Sequence, residues 1–189
     1  RRGEREKTRA GLGLAPGAIQ SRQAAGWPAA FALLRAQVRP HASLMLQLLD
    51  AIITGVLFGM ADMAPHQLLL RRPRSAEEGV TLAPLHDLRC QPGAQRMALS
   101  IGRHQLATPP GSLAWERFAL DCQLSPNQVR KRVRQLAQAL EQQLQEELEV
   151  QGDQWPPVAQ GLFEGNLALA GHAFESLTSQ AAAVRQQRY

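Results

Sequence analysis

Cysteine is scarce in this chain: Cys90 and Cys122 are the only two in 189 residues. Two thiols cannot build a disulfide framework, and the pair lacks metal-ligand spacing. A disulfide-stapled scaffold and a cysteine-bound zinc are both excluded, and a reducing, cytoplasmic setting is expected. Lysine is equally scarce, with Lys7 and Lys131 alone, and neither lies in a Val-Ala-x-Lys-like strand. No Gly-x-Gly-x-x-Gly or Walker pattern occurs, and Gly11-Leu12-Gly13 lacks a third glycine and a preceding strand, so it reads as a turn. The chain therefore carries no loop of the kinds that cradle nucleotide phosphates. Long apolar runs are missing too. The longest, Leu44 to Met60, contains Gln47 and Asp50 and is too short to cross a bilayer comfortably, so no membrane partner is expected. Arg1 to Arg9 is charged, without the apolar core of a signal peptide, and reads as a solvated tail. No internal repeat is visible. The chain opens on Arg1 rather than Met, as a fragment or trimmed chain would.

What is present suits one domain with a substantial core. Hydrophobic residues make up 44% of the chain, which argues against global disorder. Basic residues number 21 against 16 acidic, and the net charge of +5 permits a phosphate or acidic partner without demanding one. Residues 12–26 are rich in Gly, Ala and Pro and read as loop. Trp27 to Val38 places Phe31, Leu34 and Val38 on one helical face, and Arg39-Pro40 ends it. Ser43 is the expected cap of a second helix, on which Leu44, Leu48, Ile52 and Leu57 lie. That helix is apolar nearly all round and belongs in the centre of the fold. Asp50 sits inside it and needs a partner, as a satisfied structural carboxylate or a functional one.

Gln67 to Arg72 and Val80 to Leu82 read as the strands of a hairpin, with Leu68, Leu69 and Leu70 buried on both faces. Met97 to Ile101 is a further short strand, and Gly102 to Gly111 is loop. Ser112 to Cys122 is a helix with Leu113, Trp115 and Phe118 as packing residues. Ser125 and Pro126 supply an N-cap and a first helical position. From there to about Gln151, Val129, Val133, Leu136, Leu140, Leu144 and Leu148 form one stripe. The stripe covers about three heptads, so a packed bundle helix is expected over a free coiled coil. Gly152 to Pro157 is a turn. Val158 to Leu177 is the last helix, with Leu162, Phe163, Leu167, Leu169, Ala170 and Phe174 as packing candidates.

Two carboxylates frame the hairpin. Phe58-Gly59-Met60-Ala61-Asp62-Met63-Ala64-Pro65-His66-Gln67 closes the central helix, and Leu82-Ala83-Pro84-Leu85-His86-Asp87 leaves the returning strand. This layout resembles the C-terminal lobe of HipA-family serine/threonine kinases, the toxins of bacterial toxin–antitoxin pairs. That family carries Gly-Asn-x-Asp-x-His-x-Lys-Asn, a strand hairpin, and Leu-x-Pro-x-Tyr-Asp. By this resemblance Asp62 falls on the catalytic aspartate and Asp87 on the magnesium aspartate, with Gly59, Leu82 and Pro84 also matching. Met97-Ala98-Leu99-Ser100-Ile101-Gly102 matches the short strand that follows. The likeness spans roughly residues 10 to 175; Glu6 alone can answer to the family's lobe-junction segment.

The resemblance implies a mainly α fold with a small β-hairpin, a kinase-like C-lobe. Residues 1–26 would be its lead-in and 27–177 the lobe, with a catalytic hairpin at 58–102 and a helical subdomain at 112–177. Residues 178–189 would be a frayed tail. It also implies ATP and Mg2+ as cofactors, protein serine or threonine as substrate, and an antitoxin protein as partner. Departures weaken the catalytic reading. Met60 stands for Asn and Ala64 for His. His66 stands for Lys, and a mostly neutral imidazole supplies less positive charge to a phosphoryl group. Gln67 stands for the second metal-binding Asn; its extra methylene shifts the donor oxygen, and magnesium tolerates poor octahedral geometry badly. With no nucleotide-gripping N-lobe, the chain alone is expected to be inactive or weakly active unless another chain supplies that lobe. His86 precedes Asp87 and can orient it or fill space. A zinc site from His66, His86 and Asp87 matches no known spacing.

A second reading is a non-catalytic binding module. Trp115 to Leu140 reads as helix, turn and helix, with Arg130, Lys131, Arg132 and Arg134 on the early turns of the second helix (126–150). Cations there oppose the helix dipole and favour an anionic partner, so the module would contact DNA or a protein partner through this helix.

Overall fold

The computed structural model describes residues 26–37, 42–65, 70–71, 81–82, 89, 94–151, 154–156, 160–161, 164–168 and 170–171. Helix α1 spans Trp27–Gln37, α2 Ala42–Leu57, α3 Ser112–Asp121 and α4 Pro126–Gln151. Between α2 and α3 lie two antiparallel hairpins, β1 (Leu70–Arg71) with β2 (Thr81–Leu82), and β3 (Arg96–Ile101) with β4 (His104–Leu106). The chain is mostly helical with short antiparallel hairpins. Residues 160–161, 164–168 and 170–171 are helical, within the span expected for the last helix.

The core forms where the four helices meet. α2 is its centre: Leu44, Leu48, Leu49, Ile52, Ile53 and Leu57 are all buried, as its nearly continuous apolar surface requires. From α1, Phe31 and Leu34 contribute one face, joined by Trp27 and Ala30. From α3, Phe118 meets Phe31 edge-on at 6.2 Å and Trp115 at 5.6 Å, a geometry that sets a ring's positive rim against its neighbour's negative face. From α4, Val129, Val133, Ala137 and Leu144 are buried, with Leu136 and Leu140 half-buried beside them. The stripe thus runs through Ala137, a small residue that leaves room for close approach, while Leu148 sits at its half-buried margin.

Helix ends follow from their residues. α2 closes in a Schellman motif: Met60 N–H donates to Gly55 O at 2.8 Å and Gly59 N–H to Val56 O at 3.1 Å, with Gly59 at φ 63°. α3 closes the same way, by Leu124 N–H to Ala119 O at 2.8 Å and Gln123 N–H to Leu120 O at 3.1 Å. Here the left-handed residue is Gln123, at φ 54°. Arg35 of α1 crosses to this end, and its guanidinium donates to Cys122 O and, at 3.0 Å, to Gln123 O. Ser125 caps α4, its Oγ accepting from Gln128 N–H at 3.4 Å, with Pro126 opening the helix as expected.

Three expectations are corrected. Ser43 is not the cap of α2, because the helix already includes Ala42 and Ser43 lies in its first turn. Residues 102–111 are not all loop, because His104–Leu106 returns as β4. Gly102, at φ 59°, opens a two-residue hairpin turn. Leu113 does not pack: it is 74% exposed, on the face of α3 opposite Trp115 and Phe118. The short strand expected at residues 97–101 is present as β3, and its burial alternates residue by residue to end on the buried Ile101.

Candidate functional site

Asp62 lies in the turn that leaves α2, half-buried between the buried Ala61 and Met63. The turn is fixed at three points. The Schellman motif sets its start. Met63 packs against Gly55: a Cβ built on Gly55 would stand 2.1 Å from Met63 Sδ, so the sulfur fills the space a side chain would otherwise take. On the other side, Ala98 N–H of β3 donates to Ala61 O at 2.6 Å. That donor is free to turn outward because the β3–β4 ladder is irregular. Arg96 pairs with Leu106 and Ile101 with His104, so β3 runs five residue steps while β4 runs two. The backbone on either side of Asp62 is thus held, and the residue itself is half-buried. Among the described residues no ion pair or hydrogen bond engages its carboxylate. Behind the turn, Val56, Met60, Ala61 and Met97 line a dimple of about 10 Å³, room for a single water.

The β1–β2 hairpin follows this turn. Leu70 pairs with Leu82 and Arg71 with Thr81, the expected outgoing and returning strands, and β2 packs beside α2. His66, Gln67, His86 and Asp87 lie outside the described residues, as do Val38, Leu68, Leu69, Pro84, Cys90, Leu162, Phe163, Leu169, Phe174 and the two chain ends. Among the described residues no group of three or more His, Cys, Asp or Glu side chains could hold a metal. The residues expected to hold magnesium, Gln67 and Asp87, carry the hard oxygen donors that ion takes, and both lie outside the described residues.

The basic residues of α4 do not act alike. Arg132 turns inward: its Nε donates to Asp50 Oδ1 at 2.6 Å and its Nη2 to Asp50 Oδ2 at 2.7 Å. This two-pronged pair answers the question Asp50 posed, and its hydrogen bonds hold the Arg132 guanidinium above its ordinary pKa. Sequence spacing could not have revealed it, since the partners are 82 residues apart. Arg130 donates to Asn127 Oδ1 at 2.6 Å within its own helix. Arg134 is half-buried, and among the described residues its buried Nε has no acceptor. Lys131 is exposed.

No family model matches the chain. No curated protein matches it significantly either. At the level of fold, however, the chain is HipA-like. Its structure overlaps a chain of the Shewanella oneidensis MR-1 toxin–antitoxin complex of HipA, HipB and operator DNA, with a TM-score of 0.67 at 16% identity. The overlap covers 89% of this chain but only 40% of that one, so this chain spans well under half the length of its structural relative. Among the described residues no helix is long and apolar enough to cross a membrane.

Proposed function

We propose that the chain is the C-terminal lobe of a HipA-like protein serine/threonine kinase, with its catalytic motif degenerate. The observation that carries this reading is the Asp62 turn, pinned by Gly59, Met63 and Ala98 at the end of the buried α2, in a chain of HipA-like fold. Asp62 would accept the proton of the substrate hydroxyl as it attacks. Asp87 would be the main magnesium ligand and Gln67 a second, with His66 beside the phosphates. Magnesium, when bound, would neutralise charge on the phosphate oxygens. Its partners would then be a nucleotide-binding lobe, in the same chain or another, and an antitoxin protein. Calorimetric titration of Mg2+ and ATP, with and without an added HipA-type N-lobe, tests the reading. Heat should appear, or strengthen, only with the N-lobe, and should fall at least about tenfold in affinity in Asp87→Asn. No heat in either case would contradict it.

A second reading, DNA or acidic-partner binding through α4, is favoured by one observation. Arg130, Lys131 and Arg134 form no ion pair among the described residues, whereas Arg132 does. Duplex-DNA affinity measured against salt would then become less steep on changing Arg130 and Lys131 to Ala, by about 0.9 for each phosphate no longer neutralised.

A further inference from the structure

The chain has four methionines, and Met60, Met63 and Met97 gather at the Asp62 turn. Met60 closes the Schellman motif through its N–H to Gly55 O. Met63 fills the place of the missing Gly55 side chain. Met97 directly precedes Ala98, whose N–H holds Ala61 O. Each point that fixes the turn thus has a methionine at it or next to it. Met60 and Met97 also share the small dimple behind the turn, with Val56 and Ala61.

Burial separates the three. Met63 is 7% exposed and closed to a dissolved oxidant. Met60 and Met97 are half-buried, with one side against the core and the rest open. Leucine would pack the same space at small cost; methionine adds a sulfur whose polarity can be changed. We propose that Met60 and Met97 are a peroxide-sensitive modification site whose oxidation releases the Asp62 turn. The thioether lone pair attacks one oxygen of hydrogen peroxide and the O–O bond breaks. Sulfur gives up two electrons and keeps that oxygen as a sulfoxide. The second oxygen leaves as hydroxide and takes the proton of the first, forming water. A sulfoxide is polar, so it leaves the apolar company of Val56 and Ala61 for solvent. The hydrogen bonds of Met60 N–H and Ala98 N–H then lose their cover, while the shielded Met63 keeps α2 intact. This is a property of the turn itself and does not depend on the kinase reading.

Amide hydrogen exchange of the full chain, before and after hydrogen peroxide, tests the proposal, with mass spectrometry locating the sulfoxides. Met60 and Met97 should be oxidised and Met63 spared. Exchange at the Met60 and Ala98 amides should then quicken at least about fivefold, while Leu124, bonded to Ala119 in the like motif ending α3, should not change. Methionine sulfoxide reductases A and B with dithiothreitol, which act on the two sulfoxide epimers, should restore slow exchange. The double variant Met60→Leu, Met97→Leu keeps the packing without the sulfurs. Its exchange should match the untreated chain and stay slow in peroxide. Unchanged exchange in a chain bearing both sulfoxides would overturn the proposal. So would equal quickening in the double variant, or a peroxide-treated chain in which Met60 and Met97 stay unmodified.

Discussion

At the scale of single residues, the structure gives two side chains unusual settings. Gly55 is one. Nothing in its position on α2 asks for glycine, because its backbone is helical; the requirement comes from Met63, which occupies the place of the missing side chain. Gly55→Ala should cost about 1–3 kcal/mol, the usual range for forcing a methyl into a filled space. Met63→Ala alone leaves a cavity, and the new methyl can partly fill it. The double variant should therefore cost clearly less than the sum in urea denaturation; strict additivity would show that the contact does not hold the turn. Cys122 is the other. Burial first, then the negative Asp121, opposed by Arg35, push its thiol from an ordinary value near 9.0 up to about 12. The folded chain keeps the proton after the unfolded chain has released it. Stability from this group is thus complete below about pH 9 and is lost as pH rises toward 12. Cys122→Ala should lack that part of the alkaline decline, as a comparison of denaturation midpoints across this window would show.

At the scale of elements, the Asp50–Arg132 pair ties α2, which delivers the Asp62 turn, to α4, which carries the basic residues. Both side chains remain about a third exposed, at 33% and 27%, so solvent screens them. Their coupling in a double-mutant cycle should be about 1–2 kcal/mol, above a bare surface pair because the geometry is two-pronged. A coupling near zero would mean that the link is incidental. Which elements the sequence discloses follows from how each is stabilised. α2 and α4 declare themselves by period, since their buried faces recur every three or four residues, and Ser125-Pro126 marks the start of α4 by local chemistry alone. β4 does not. His104-Gln105-Leu106 is three residues long, leaves Leu106 exposed and owes its conformation to pairing with β3. Leu113 misleads for a similar reason: an apolar residue has no direction until the helix has a neighbour. The partner of Asp50 depends on a contact between distant segments, and no local rule reaches it.

At the scale of the whole molecule, a HipA-like fold is present at an identity of 16%, which shows how little of the fold depends on particular residues and how much on the pattern of buried faces. The candidate site is legible to a different degree. Asp62 is marked by the glycine that ends α2 and by the hairpin that follows, and the structure gives it a held backbone. Its proposed function depends on a second carboxylate, Asp87, reached only after the chain has turned through β1 and β2. The most direct measurement is the proximity of these two side chains. Asp62→Cys and Asp87→Cys, combined with Cys90→Ser, can both be labelled with pyrene maleimide while the buried Cys122 thiol stays unreactive. The account predicts excimer emission that survives dilution and disappears in urea and in each singly labelled chain. Monomer emission alone from the folded, doubly labelled protein would contradict it.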